Sequence, residues 1–281
     1  MSEIRGVIRK MKTELPADGI AQYQLRLGDV SAPLNPCIGE HVSFAFTGQM
    51  TCIQCDRAIK KTFQQGYCYP CCQRLNECGG CLIFPERCQV ESGNCDPTDW
   101  AHAHCSAPQI LYLANSSGLK VGITRQSQMP HRWIDQGART ALPVLQAHNR
   151  YRVGQLEVLF KTLVSDRTVY QRMLKNEVPA IDLLAERDRL CAELSDSLVA
   201  LGVEEKDSGI DWVQEAAVCA IDYPVQCYPT RIKTLSFDRT PEISGQLLGI
   251  KAQYLILDTG VLNMRKFGGY WVTATLPASA E

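Results

Sequence analysis

Four side chains of different chemistry fall in one central stretch: the phenol of Tyr112, the amine of Lys120, the guanidinium of Arg132 and the carboxylate of Glu157. Cleaving a phosphodiester calls for this assortment. A carboxylate holds a divalent cation, an arginine meets the charge developing on phosphate, and a third group takes a proton from water. Trp133 follows Arg132 at the expected start of a helix, which suits a phosphate contact beside a base-stacking surface. Trp133 fits an apolar core position equally well. Arg125, Arg139, Arg150 and Arg152 surround the set as expected phosphate contacts. From Lys120 to Lys161 seven Lys/Arg stand against two acids, a net of +5 in a chain whose total is -1. That excludes a globally basic nucleic-acid coat. It leaves either a focused polyanion site or an ordinary solvated face.

Metal chemistry lies just upstream. Ten of the fourteen cysteines fall between Cys52 and Cys105, and the first four read Cys52-x2-Cys55-x12-Cys68-x2-Cys71. Two close pairs at this separation bring four sulfurs to one tetrahedron, the arrangement of a structural Zn²⁺. An iron–sulfur cluster, which also takes four cysteines, is the rival. Cys81, Cys88, Cys95 and Cys105, with six, six and nine residues between them, form a looser candidate for a second site. Cys78, His102 and His104 are alternative ligands there, and Cys72 reads as spare. Closed four-ligand sites leave no open position for catalysis, so the expected Zn²⁺, one or two ions, is scaffolding.

Secondary structure must then position both groups. Val42, Phe44 and Phe46 alternate as on a half-buried strand, within an amino-terminal β segment, 1–50. Residues 51–106 have few branched aliphatics and many Cys, Gly and Pro, so this module needs metal to fold. In the unit 107–165, Ile110–Ala114 and Leu119–Thr124 read as a hairpin. A short helix is expected at 130–138, a third strand at 141–147 and an amphipathic helix at about 152–165. A helical segment, 166–222, holds one helix through about 180–201 on a stripe of Leu184, Cys191, Leu194, Leu198 and Leu201. Residues 182–222 carry a net of -8, with eleven acids against three bases. The last unit, 223–281, reads as four short strands in a meander or barrel. The fold class is α+β.

The amino-terminal residues MSEIRGVIRKMK contain no apolar run of a signal peptide, and no stretch approaches the ~20 apolar residues of a membrane span. A reducing cytoplasm is the expected compartment, with thiols binding metal and not pairing as disulfides.

The order of Leu111-Tyr112, Lys120-Val-Gly122-Ile-Thr, Arg132 and Glu157 resembles the GIY-YIG nuclease superfamily. The resemblance covers about residues 109–165. It implies two strands carrying the tripeptides, a helix with a catalytic arginine matched by Arg132, and a second helix with a metal-binding glutamate matched by Glu157. Tyr112 matches the first tyrosine and Gly122 the second glycine. The first glycine is absent, and Lys120 stands where the second tyrosine is usual. Lys120 can replace that tyrosine as proton acceptor only with a depressed pKa, which neighbouring arginines favour. Over its full length the chain also resembles an uncharacterised bacterial family that joins a cysteine-rich half to this core. The expectation is therefore a zinc-stabilised protein that interacts with nucleic acid and, if catalytic, an endonuclease using Mg²⁺ or Mn²⁺. The alternatives are an RNA- or DNA-binding module without turnover, and a protein-interaction scaffold that works through the acidic helix.

Overall fold

The computed structural model describes residues 2–95, 99–206 and 208–277. Asp207 of the acidic stretch and the ends of both terminal segments lie outside the described residues. The chain runs through β1 (Ser2–Val7), β2 (Lys12–Glu14), β3 (Gln22–Leu27), β4 (Val30–Pro33) and β5 (His41–Met50) into the cysteine-rich stretch. There α1 (Tyr69–Arg74) and α2 (Asp99–Cys105) are separated by short turns. The central part holds β6 (Gln109–Asn115), β7 (Leu119–Arg125), α3 (His131–Asp135), β8 (Thr140–Ala147) and α4 (Arg150–Phe160). Next come α5 (Tyr170–Leu174), α6 (Leu183–Glu193), α7 (Ser195–Ala200), β9 (Ile210–Trp212) and β10 (Cys219–Ala220). The chain closes with β11 (Glu242–Lys251), β12 (Tyr254–Leu257), β13 (Gly260–Asn263) and β14 (Tyr270–Leu276).

Three antiparallel sheets result, which makes the fold mixed α+β. The largest has the order β1-β14-β5-β11-β12-β13, so the amino- and carboxy-terminal segments are interleaved in one layer. No barrel closes. Strands β11 to β13 form a meander, with β13 at one edge of this sheet and β1 at the other, unpaired to each other among the described residues. Strand β13 stops at Asn263, whose side chain accepts from the Lys266 N–H and starts a 3₁₀ turn over Met264–Phe267. A small sheet, β2-β3-β4, completes the amino-terminal part.

The central sheet runs β10-β8-β6-β7, with β9 added to β8. Strand β6 is buried at every position, which explains its nearly unbroken apolar reading. Alternation sends Ile110, Tyr112 and Ala114 into the core shared with the large sheet. Leu111 and Leu113 face the opposite way, toward Val153, Leu156 and Phe160 of α4 and Leu190 of α6. The central sheet thus lies between a helical layer and the β body.

Helix α4 starts where Asn149 caps it, its side chain accepting from Arg152 N–H. The helix expected over 180–201 is two, α6 and α7, which meet at Leu194. Its buried stripe is Leu183, Leu190, Leu194 and Leu198, whereas Leu184 is exposed. Leu194 and Leu198 are buried as expected, Cys191 and Leu201 pack partly buried against the same core, and Asp182 caps α6 by accepting from Leu184 and Ala185 N–H. Arg189 bridges Glu186 and Glu193 along its outer face, at 2.8 and 2.7 Å.

Candidate functional site

A cleft of about 460 Å³ opens at the β7 edge of the central sheet, and Lys120, Arg132 and Glu157 line it. Tyr112 stands one layer behind. Its hydroxyl donates to Gln136 Oε1 at 2.8 Å, and Gln136 lines the cleft. Pairing of β6 with β7 sets Tyr112 opposite Gly122. The tyrosine ring lies across that glycine so closely that a Cβ there would meet the hydroxyl at 2.7 Å. Gly122 is therefore a space requirement of Tyr112. Lys120 sits two residues before Gly122 on the same face of β7.

Burial gives these groups their chemistry. Lys120 is 4% exposed; burial and the Arg132 charge push its ammonium down to about 8, with Asp166 and Glu157 acting the other way. Its ammonium donates to Thr168 Oγ1 at 3.4 Å. Glu157 is 9% exposed, and burial raises its carboxyl above the usual range, helped by Asp166 and opposed by Lys161, Arg150 and Arg132. Burial likewise raises the Tyr112 phenol, an effect the adjacent Arg132 partly offsets. At neutral pH Tyr112 is a neutral donor, while Lys120, lowered to about 8, holds its proton less firmly than an ordinary lysine.

Other expected contacts divide. Arg125 lines the cleft. Arg139 is exposed but lies outside it. Arg150 reaches the cleft, yet its guanidinium donates to the carbonyls of Cys81 and Leu82, the latter at 2.9 Å. Arg152 is paired with Glu91 at 2.7 Å. Trp133 is a correction: its indole is buried in the large core, edge-on to Tyr112 at 6.0 Å between centroids, so no face is free to stack a base. Sequence reasoning missed Gln136, Asp166, Lys10 and Arg265, all on the cleft wall. Gln136 had a signal, since it follows Arg132 by four residues and shares its helical side. Lys10 and Arg265 had none, because only the large sheet brings the two chain ends here.

The second wall comes from the cysteine-rich stretch through Leu82, Ile83, Pro85 and His104. Gly154 of α4 admits this wall: a Cβ there would meet backbone atoms of Glu86 and Pro85 at 2.5 Å. His104 faces the cleft and stacks on Trp100 at 4.3 Å, so burial, which pushes its imidazole down to about 4, keeps it neutral.

The sulfurs of Cys52, Cys55, Cys68 and Cys71 all lie within 4.8 Å of one another. A tetrahedral Zn²⁺ with bonds of about 2.3 Å needs sulfurs ~3.8 Å apart, and Cys55 and Cys68 stand at 3.8 Å. Backbone N–H groups of Cys68 and Cys71 point at the sulfurs of Cys52 and Cys68, at 3.2 and 3.4 Å, as thiolates require. These four cysteines can hold a structural metal ion such as zinc. They are the one set of three or more such donors within 4.8 Å among the described residues. In the looser group, Cys88 and Cys105 hydrogen-bond through their thiols, with Cys81 in electrostatic reach. Cys72, expected as spare, pairs with the Cys78 thiol.

The architecture defines a class: a mixed α+β protein with a knuckle of four cysteines and a polar cleft. Residues 39–272 match the family described as Protein of unknown function (DUF2797), and the chain belongs to that family. No curated protein and no solved structure matches it. No helix among the described residues is long and apolar enough to cross a membrane.

Proposed function

We propose that this chain is a bacterial, cytoplasmic, zinc-stabilised protein whose GIY-YIG-like centre acts on a phosphodiester of DNA or RNA. One observation carries the reading: Lys120, Arg132 and Glu157, from a strand and two helices, line a single cleft, with Tyr112 joined to it through Gln136. Glu157, with Asp166 near it, offers carboxylate oxygens for Mg²⁺ or Mn²⁺. Such an ion would polarise the phosphate and lower the pKa of water. Arg132 is placed to meet charge on the phosphate oxygens. Lys120 is suited to take the proton from the attacking water, because its depressed pKa leaves a neutral fraction near neutral pH. Tyr112, kept protonated by burial, donates and orients. Cys52, Cys55, Cys68 and Cys71 hold the structural zinc, and Cys81, Cys88, Cys95 and Cys105 supply a second.

The test is Mg²⁺-dependent nicking of plasmid DNA and of labelled RNA by the zinc-loaded chain. Glu157→Ala and Arg132→Ala should each lower the rate by about 10²–10³ while zinc content and circular dichroism stay unchanged. Turnover unaffected by both substitutions overturns the proposal. A second reading, nucleic-acid binding without turnover, draws on Lys120 in the place of a tyrosine. Salt-sensitive binding with no cleavage would favour it.

A further inference from the structure

The central cleft does not stand alone. A second depression of about 500 Å³ shares Lys10, Leu82, Ile83 and Arg265 with it, so the two form one continuous trough. Lys10 and Arg265 give the shared wall two cations. Arg265 faces Arg132 as well as Asp135, and Lys10 is paired with Asp135. Asp135 is one carboxylate among three cations, Lys10, Arg132 and Arg265, so the wall keeps an excess of positive charge that an anion would relieve. Beyond that wall the lining changes, with Ile53 and Tyr67 set among Gln64 and Gln65. Ile83, at the junction, is 66% exposed, and its neighbour Phe84 is 44% exposed. The Arg87 guanidinium lies over the Phe84 ring, 4.5 Å from its centroid.

A duplex turns its phosphates outward and hides its base faces, so it has no use for an exposed apolar side chain such as Ile83 in a concave wall. An unpaired strand offers both surfaces at once. We infer that the trough receives an unpaired nucleic-acid strand. Lys10 and Arg265 contact a phosphate adjacent to the central cleft, and Ile83, which lines both depressions, meets a base there, with exposed Phe84 next to it in the chain at the rim. This rests on the nucleic-acid reading of the central site and adds its substrate class.

Fluorescence anisotropy of the full zinc-loaded chain, without added Mg²⁺, tests it with a labelled twelve-nucleotide strand and its duplex. The strand should bind more tightly than the duplex. The double variant Ile83→Ala, Phe84→Ala should bind the strand about tenfold more weakly, with duplex affinity, melting temperature and zinc content unchanged. Duplex binding as tight as strand binding overturns the inference, as does strand affinity untouched in the double variant. The two proposals separate cleanly. Glu157-dependent nicking together with a duplex preference would sink this inference and keep the nuclease. Strand-selective binding without turnover would do the reverse, and binding to neither nucleic acid would end both.

Discussion

Lys120 shows most sharply how burial converts an ordinary side chain into a chemical group. Its ammonium sits in a wall with Arg132 nearby, and the folded protein therefore holds its proton less firmly than the unfolded chain does. The ordinary lysine value is about 10.4, against about 8 in the fold. Between these values the unfolded chain binds more protons, so stability rises with pH across that window and the charged form costs stability below it. Lys120→Met should accordingly stabilise the protein at pH 7, by ~1–3 kcal/mol. The gain should shrink as pH climbs from about 8 toward 10.4. Urea unfolding of both proteins at several pH values measures this, and a difference independent of pH would refute it. If Lys120 takes the proton as proposed, the same substitution should remove turnover, an exchange of stability for function. In the sequence Lys120 reads equally as a solvated strand residue; only its burial at the β7 edge tells the two apart.

At the level of elements, the contact that matters most joins α4 to the cysteine-rich turn before it in the chain. Gly154 makes the approach possible, and Arg150 holds it by donating to the Cys81 and Leu82 carbonyls. A glycine inside a helix normally gains about 1 kcal/mol when replaced by alanine. Here the new Cβ would strike backbone at 2.5 Å, which cannot yield as a flexible side chain does. Gly154→Ala should therefore destabilise, by ~1–3 kcal/mol, and open the turn over Cys81–Cys88 to protease. Chemical denaturation with limited proteolysis decides it; a stabilised variant would show that the turn is not docked as described. The hairpin, the short helix and α4 were legible because period and caps are local. The docking of α4 was not, since nothing in a lone glycine says what approaches it.

For the molecule as a whole, the four-cysteine knuckle is tied to the sheet that joins both chain ends. Strand β5 leads directly into it, and Thr51 N–H donates to the Gly269 carbonyl at 2.8 Å. Gly268 lies so near Gln65 that a Cβ would meet the Gln65 oxygen at 2.1 Å. Strands β5 and β14 are interior to that sheet, so loosening the knuckle disturbs its middle and not an edge. Structural zinc contributes about 10–16 kcal/mol of apparent binding energy in small modules, comparable to the ~5–15 kcal/mol stability of a whole domain. Chelation, or Cys52→Ser with Cys68→Ser, should thus release zinc and abolish the cooperative melting transition. Colorimetric zinc release and calorimetry test this together; a zinc-free chain that melts unchanged would remove metal from the account.

The sequence by itself determined what short-range chemistry can specify. Cys52, Cys55, Cys68 and Cys71 announced their shared site because two CxxC turns place sulfurs with little help from the rest of the chain. The period of β6 and α4 likewise follows from local burial. Tertiary structure alone decided that Trp133 is core, that Arg150 and Arg152 are already partnered, and that Lys10 and Arg265 reach the cleft. Those facts depend on contacts between residues 61 or more positions apart, or on which face of an element meets another layer. Neither is written in spacing, because a side chain's neighbours across a core are chosen by packing, which the whole fold settles at once.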